Sequence, residues 1–402
     1  MKKRHKSAYK GYRGRSSWRM NTVPIIAGAI LVLGAVAALY FGGAFPKLWA
    51  LLPHHEPTEQ TDPDPIRTPE EGENQPNPAP DPKPDPDPEQ GSPETGYATI
   101  EIGGEAQEYD TLYRVGNTGF EYFTYLPELG EKYAAAVTAT ANGLKGIATV
   151  YDITIPLSSS ITLPDKLAGN ELFGDQKDAV EQLGGMMGDS VRLVPLYDTL
   201  MQHRSEYIYF RTDHHWTALG AYYAYCQFCQ VKGITPHPLA DYVKDEYTGF
   251  LGSFYRDSNG DKELGKTPDT VEAYHPVSQN AELDYTDEDG SVQRWQVIYD
   301  VTDYPADLKY SCFIGSDHSY TVIRNPDLTD NSSCVVVKES FGNAFVPYLV
   351  DHYQTIHVID YRYWDGNLAD FVRKNGVQDV IFINNLSAIR SSYLMGKLQG
   401  IM

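Results

Sequence analysis

Cysteine is scarce in this 402-residue chain: four residues cannot build a dense disulfide framework, so the fold must rest on a buried core, which a domain of about 300 residues supplies without cross-links. Cations are scarce too once the first twenty residues are set aside. Lys2, Lys3, Arg4, Lys6, Lys10, Arg13, Arg15 and Arg19 stand there with no acid among them, and the remainder carries 25 Lys and Arg against 54 Asp and Glu, a formal charge of −29. Phosphate binding needs a cationic face, so nucleic acid is a poor partner, and an acidic exterior mostly confers solubility. Internal repeats are lacking, and sustained apolar runs are limited to one, Val23 to Phe41.

That run is long enough to span a bilayer at about 1.5 Å per residue. The basic residues before it predict a cytoplasmic tail over 1–21, a single transmembrane helix over 22–43 and a cell-membrane protein whose C-terminal part lies outside the cytoplasm. The alternative is a cleaved secretory signal, for which Ala35, Ala37 and Ala38 imitate a small-residue cleavage site. Either way the remainder is exported. Residues 44–96 read as a linker: 13 of the 26 prolines fall between Pro53 and Pro93, among acids and with little to bury. Extended polyproline at about 3.1 Å per residue gives this spacer a reach of up to about 130 Å.

From about residue 97 to 402, Val- and Ile-rich runs alternate with helical patterns, which predicts an α/β domain with a mainly parallel sheet flanked by helices. Helices are expected at Glu131 to Leu144, Lys177 to Met187, Phe341 to Tyr353, Leu368 to Lys374 and from about Ser387. Strands are expected at Ile147 to Ile155, Val191 to Leu196, Tyr207 to Phe210, Ser333 to Lys338, Thr355 to Ile359 and Asp379 to Ile383. The stretch from Pro236 to Asp330 has no sustained period and reads as long loops and short strands, a lid or substrate wall. Cys226 and Cys229 fall on a helix, AYYAYCQFCQ, where inward packing is favoured over redox or metal chemistry. Cys312 and Cys334 flank an excursion and are a possible extracellular pair.

Three segments carry groups capable of chemistry. In RTDHHWTALG, from Arg211 to Gly220, Asp213 stands two residues from His215. A carboxylate so placed can hold the imidazole tautomer and stabilise its cation, although an N-cap Asp213 with a packed His215 is an equal reading, and Asp213, His214 and His215 together could ligate a metal only with ligands from elsewhere. In KESFGNAFVP, Ser340 follows a Val-rich strand and opens a helix, the place for a nucleophile beside free N–H groups, or for a plain helix cap. HVIDYRYW ends the next strand and brings Asp360 and Arg362 to the same sheet edge, as a substrate-orienting group or a structural pair. Asn385 ends the strand after that, as an oxyanion donor or a turn former. Trp216 and Asn343, inside the first two segments, complete the substrate and oxyanion candidates.

YFRTDHHWTALGAYYAY, followed by VVKESFGNAFVPYL and HVIDYRYW, resembles the DHHW proteins, which are related to the SGNH-like O-acetyltransferases of alginate and other exopolysaccharides. The resemblance covers most of the chain after residue 97. It implies a circularly rearranged SGNH-hydrolase-like core in which Ser340 is the nucleophile, His215 its general base and Asp213 the residue orienting that base. The family serine usually follows Asp; here Glu339 precedes it. The implied activity needs no cofactor and no metal: an acetyl group, delivered by a membrane-bound O-acyltransferase partner, passes through a serine ester to a cell-surface or secreted polysaccharide. A carbohydrate acetylesterase using the same three residues and a non-catalytic polysaccharide-binding scaffold are the alternatives. The aromatic content, 12% with 30 tyrosines, offers stacking surfaces of the kind sugars use, though most such rings belong in cores.

Overall fold

The computed structural model describes residues 96–287 and 290–402, so the expected cytoplasmic tail, the transmembrane helix 22–43 and all but the end of the linker lie outside the described residues. Among the described residues no helix is long and apolar enough to cross a membrane.

The described chain opens with an antiparallel meander of β1 (Ala106–Glu108), β2 (Leu112–Val115) and β3 (Thr118–Glu121). Helix α1 (Pro127–Gly143) begins ahead of the expected Glu131 because Pro127 fits its first turn, where a missing N–H costs nothing. Next come β4 (Thr149–Ile155), α2 (Gln176–Met186) capped by the Asp175 carboxylate, β5 (Val191–Leu193) and α3 (Ala218–Lys232). The stretch that shows no period in sequence holds an antiparallel pair, β6 (Val243–Phe250) and β7 (Asp269–His275), followed by β8 (Glu282–Thr286), β9 (Val292–Trp295) and β10 (Tyr320–Arg324). Last come β11 (Ser333–Lys338), β12 (Thr355–Asp360), α4 (Leu368–Asn375), β13 (Asp379–Asn385) and α5 (Ser392–Gly400). The helix expected over Phe341 to Tyr353 is reduced to one turn, Gly342–Phe345, and a 3₁₀ turn, Val346–Leu349, because Pro347 has no N–H to continue it.

Eight strands form one sheet in the order β5-β4-β13-β11-β12-β10-β8-β9. The first five are parallel to one another; β10, β8 and β9 extend the sheet antiparallel. The sheet is therefore mixed: its five-stranded parallel part matches the expectation, and the antiparallel extension does not. The antiparallel extension escapes a reading by pattern because β9 is almost wholly exposed and β8 buries only Leu283, so neither shows a regular apolar alternation. Counted from β11, the five parallel strands have the doubly wound order 2-1-3-4-5, with its switch point between β11 and β13. The fourth and fifth positions are filled by β4 and β5 from earlier in the chain, so the order is circularly rearranged.

Both faces of the central strands are covered, which is why their sequences run apolar without a break. Cys334 and Val336 of β11 and Ile381 and Ile383 of β13 face a core built with Trp216, Phe228 and Phe345. Val335, Val337, Val380 and Phe382 point the other way, into a core with Tyr133 and Val137 of α1, Leu183 of α2, Val372 of α4 and Leu398 of α5. The four cysteines are free thiols, so Cys312 and Cys334, both buried, do not form the considered pair; Cys229 is buried and Cys226 half-buried on α3.

One carboxylate is buried beneath α1. Asp152 of β4 accepts the Tyr133 hydroxyl at 2.5 Å and the Thr154 hydroxyl at 2.9 Å, and burial outweighs these bonds to push its carboxyl up to about 6. An acid whose folded pKa lies above its unfolded value of 3.8 loses stability as pH rises between the two. In urea denaturation, Asp152→Asn is expected to gain on the wild type progressively from pH about 4 to about 6 and to hold that difference above it.

Candidate active site

The aromatic run Tyr207 to Phe210 does not form the expected strand. Tyr209 meets Trp216 through an isolated bridge, and the residues between them fold into a tight loop closed by Phe210 N–H to the His215 carbonyl at 3.2 Å and Thr217 N–H to the Ile208 carbonyl at 3.0 Å. Thr217, not Asp213, caps α3 through its hydroxyl. Asp213 turns instead toward His215. Its Oδ1 accepts the His215 backbone N–H at 2.9 Å and the ring Nδ1–H at 2.6 Å, and its Oδ2 accepts Ser253 N–H at 2.7 Å. The chain beside the carboxylate must be glycine, since a Cβ on Gly252 would overlap the Asp213 side chain.

A second buried carboxylate holds the base of this loop. Asp269 of β7 is fully buried; its Oδ2 accepts Thr212 N–H at 2.7 Å and the Thr212 hydroxyl at 2.6 Å, Oδ1 takes the Tyr207 hydroxyl, and Arg211 adds its N–H and an ion pair at 3.2 Å. Nothing in the sequence singles Asp269 out, because its partners are distant in the chain and it lies in the stretch without a period.

Ser340 stands just beyond the carboxyl end of β11, at the switch point. Its Oγ lies 2.8 Å from His215 Nε2, 125 residues away in sequence, completing a chain Asp213–His215–Ser340. Trp216 is wholly buried and donates its indole N–H to the Phe341 carbonyl at 2.9 Å, so it ties the histidine loop to the serine turn and presents no face to a substrate. Glu339 is buried below the turn: Oε2 accepts Phe341 N–H and Oε1 accepts Asn385 N–H, each at 3.1 Å, and Oε2 lies 3.3 Å from the Ser340 hydroxyl. Burial raises the Glu339 carboxyl above its ordinary value against these bonds. Ser340's own N–H makes no hydrogen bond within the described residues.

The other candidates face inward. The Asn385 side chain caps the turn after β13 by accepting Ala388 N–H at 2.9 Å, as an Asn ending a strand commonly does. Asn343 donates its amide to Asp317 at 2.9 Å. Arg362 grips Asp360 at 2.8 and 2.6 Å and Asp317 at 2.9 Å, while the buried Lys338 ammonium bonds the same two acids at 2.9 and 2.8 Å. Burial alone would raise Asp317, but Lys338 and Arg362 hold it well below the usual carboxylate range. These four charges brace the ends of β11 and β12.

Burial would likewise raise Asp213, yet the His215 and His214 rings, the His215 hydrogen bond and the Ser253 N–H hold it well below its ordinary value. His214 is lowered by burial and by His215. Asp213, His214 and His215 bring possible metal-ligating atoms within 4.8 Å of one another. Each is already engaged, His214 Nδ1 with the Ser253 hydroxyl at 2.7 Å and the other two in the chain to Ser340. A hollow of about 880 Å³, walled by Phe173, Tyr197, Arg204 and others, includes neither Ser340 nor His215. Ser340 is part-exposed, whereas His215 and Asp213 are buried.

The DHHW protein family model matches residues 86–359. A DHHW family protein from Eubacterium siraeum is similar in structure, with a TM-score of 0.67 and 26% identity over 75% of this chain and 99% of that one. Bacillus cereus PatB1, solved with a sulfonyl adduct, has a TM-score of 0.59 at 17% identity over 72% of this chain and 97% of that one. The O-acetyltransferase domain of Pseudomonas putida AlgJ is more distant, with a TM-score of 0.40 at 12% identity over 75% of this chain and 98% of that domain. No curated protein matches the sequence.

Gly252→Ala is expected to displace the Asp213 carboxylate from His215, abolishing the low-field proton resonance of the His215 Nδ1–H in NMR spectra. Gly396→Ala, on α5 with nothing within 4 Å of the added methyl, should leave that resonance in place.

Proposed function

This chain belongs to the DHHW family, and we propose that it is a serine-dependent O-acetyltransferase, anchored in the membrane through its N-terminal segment and acting outside the cytoplasm on a cell-surface or secreted polysaccharide. The observation that carries the proposal is the unbroken hydrogen-bonded chain from Asp213 through His215 to Ser340 at a sheet switch point. A carboxylate at Nδ1 leaves Nε2 unprotonated and facing the serine, the arrangement a general base requires.

In the first half-reaction His215 Nε2 takes the Ser340 proton as Oγ attacks the acetyl carbonyl. The tetrahedral adduct collapses, the donor's leaving group departs with the proton from the imidazolium, and acetyl-Ser340 remains. In the second, His215 takes the proton of a sugar hydroxyl as that oxygen attacks the serine ester; the sugar acetate forms and Ser340 Oγ regains the proton. The unpaired Ser340 N–H is a donor for the developing oxyanion, whereas the Phe341 and Asn385 N–H groups are held by Glu339. The acetyl donor is a membrane-bound O-acyltransferase partner. Ser340 is itself part-exposed and so within reach of water, which favours an acetylesterase as the second reading.

The test is the full-length protein in detergent with a chromogenic acetyl ester, with and without oligosaccharide acceptors. Wild type should gain one acetyl group on Ser340 and be blocked by a sulfonyl fluoride, which would leave a sulfonyl group on Ser340; the PatB1 structure carries a sulfonyl adduct. Ser340→Ala should lose at least ~10³-fold in turnover. Acetyl appearing on sugar selects transfer, release as acetate selects the esterase, and equal inertness of both proteins would overturn the catalytic reading.

A further inference from the structure

Tyr310 lies on the 3₁₀ turn Ala306–Cys312, in the part of the chain where sequence shows no pattern, and it touches both ends of the reacting pair. Its ring stacks on the His215 imidazole, centroids 4.1 Å apart and planes inclined by 15°. Its hydroxyl donates to the Ser340 backbone carbonyl at 3.2 Å. The turn that delivers it is fixed from several sides: the buried Lys309 ammonium bonds the Val301 and Thr302 carbonyls at 3.0 and 2.7 Å, Leu251 N–H bonds the Ala306 carbonyl at 3.1 Å, and Phe210 and Phe313 meet the Tyr310 ring edge-on at 6.1 and 5.2 Å.

We propose that Tyr310 is a positioning residue for the acyl-transfer reaction, one that holds the face of His215 and favours its protonated state while pinning the serine turn through the Ser340 carbonyl. The inference rests on the catalytic reading of Ser340. His215 is enclosed by Tyr310 on one side, by His214 at 3.9 Å and by Phe341 at 4.9 Å, with Asp213 at Nδ1 and Ser340 at Nε2, behind which lies Glu339. Rotation of the ring would break both of its hydrogen bonds, and these faces oppose that rotation. A phenol face is also electron-rich, so it attracts the imidazolium that exists only after the serine proton has moved. That attraction is greater in the transition state than in the resting enzyme, which is what lowers a barrier. His214 does not compete for the proton, because burial and the neighbouring His215 both lower it.

A core tyrosine with no such role would affect folding and little else. The two contacts can be separated by substitution. Tyr310→Phe keeps the face and removes the O–H; it should lower kcat/KM by less than about tenfold, the scale of one hydrogen bond, and leave the acid limb of the pH profile in place. Tyr310→Leu removes the face and should move that limb to lower pH by roughly 0.4–1 pH unit, the scale of a cation–π contact. Phenylalanines carrying increasing numbers of ring fluorines at position 310 keep the shape while draining the face of electron density, and should move the limb downward step by step. NMR titration of the His215 ring carbons should follow the same order.

Coincident limbs and coincident NMR midpoints across the Phe, fluorinated and Leu variants would overturn the proposal. Turnover that does not depend on Ser340 would sink the catalytic reading instead, and the NMR midpoints would then still decide whether Tyr310 acts on His215.

Discussion

The constraint on which the rest depends is the burial of β11 and β13 on both faces. The middles of these strands, residues 335–337 and 380–383, are accordingly apolar, and the groups free to meet a substrate stand beyond their ends. Lys338 tests the rule from inside: it is buried at the last position of β11, and it survives there only because Asp317 and Asp360 neutralise it at hydrogen-bond distance. Ser340 lies two residues further on, where the backbone leaves the sheet. The same geometry puts the Asn385 N–H beside it, since Ile383 pairs with Lys338 across the two strands.

Two buried carboxylates convert that edge into a defined arrangement of atoms. Asp269 binds the backbone of the histidine loop, and Asp213 binds the imidazole carried by that loop. Each works because its oxygens receive several donors at once, which offsets the loss of water around a charge. Trp216 then joins loop to turn.

Much of this was legible in the sequence, and the boundary of legibility has a physical cause. The buried parallel strands announce themselves by unbroken Val and Ile, and Asp213, His215 and Ser340 by short motifs next to element ends. Asp269, Gly252, Ser253, Asp317 and Tyr310 all lie between residues 236 and 330, where strands are short, half-exposed or at the sheet margin and leave no period. Their roles come into being through contacts with segments far away in the chain. Trp216, Asn343 and Asn385 each sit inside a conspicuous motif, and the structure gives the Trp216 indole N–H to the Phe341 carbonyl, the Asn343 amide N–H to Asp317 and the Asn385 side-chain oxygen to Ala388 N–H.

The strand order has a consequence for how such a chain comes into being. β13 lies between β4 and β11, so the sheet is closed by one of the last segments to be made, about 230 residues after its neighbour β4. Until residue 385 is available, β4 and β11 each lack the strand that pairs with both of them, and Glu339 lacks the Asn385 N–H that it accepts beneath the serine turn. A growing or truncated chain therefore leaves apolar strand edges uncovered, and completion of β13 both covers them and fixes the turn that carries Ser340.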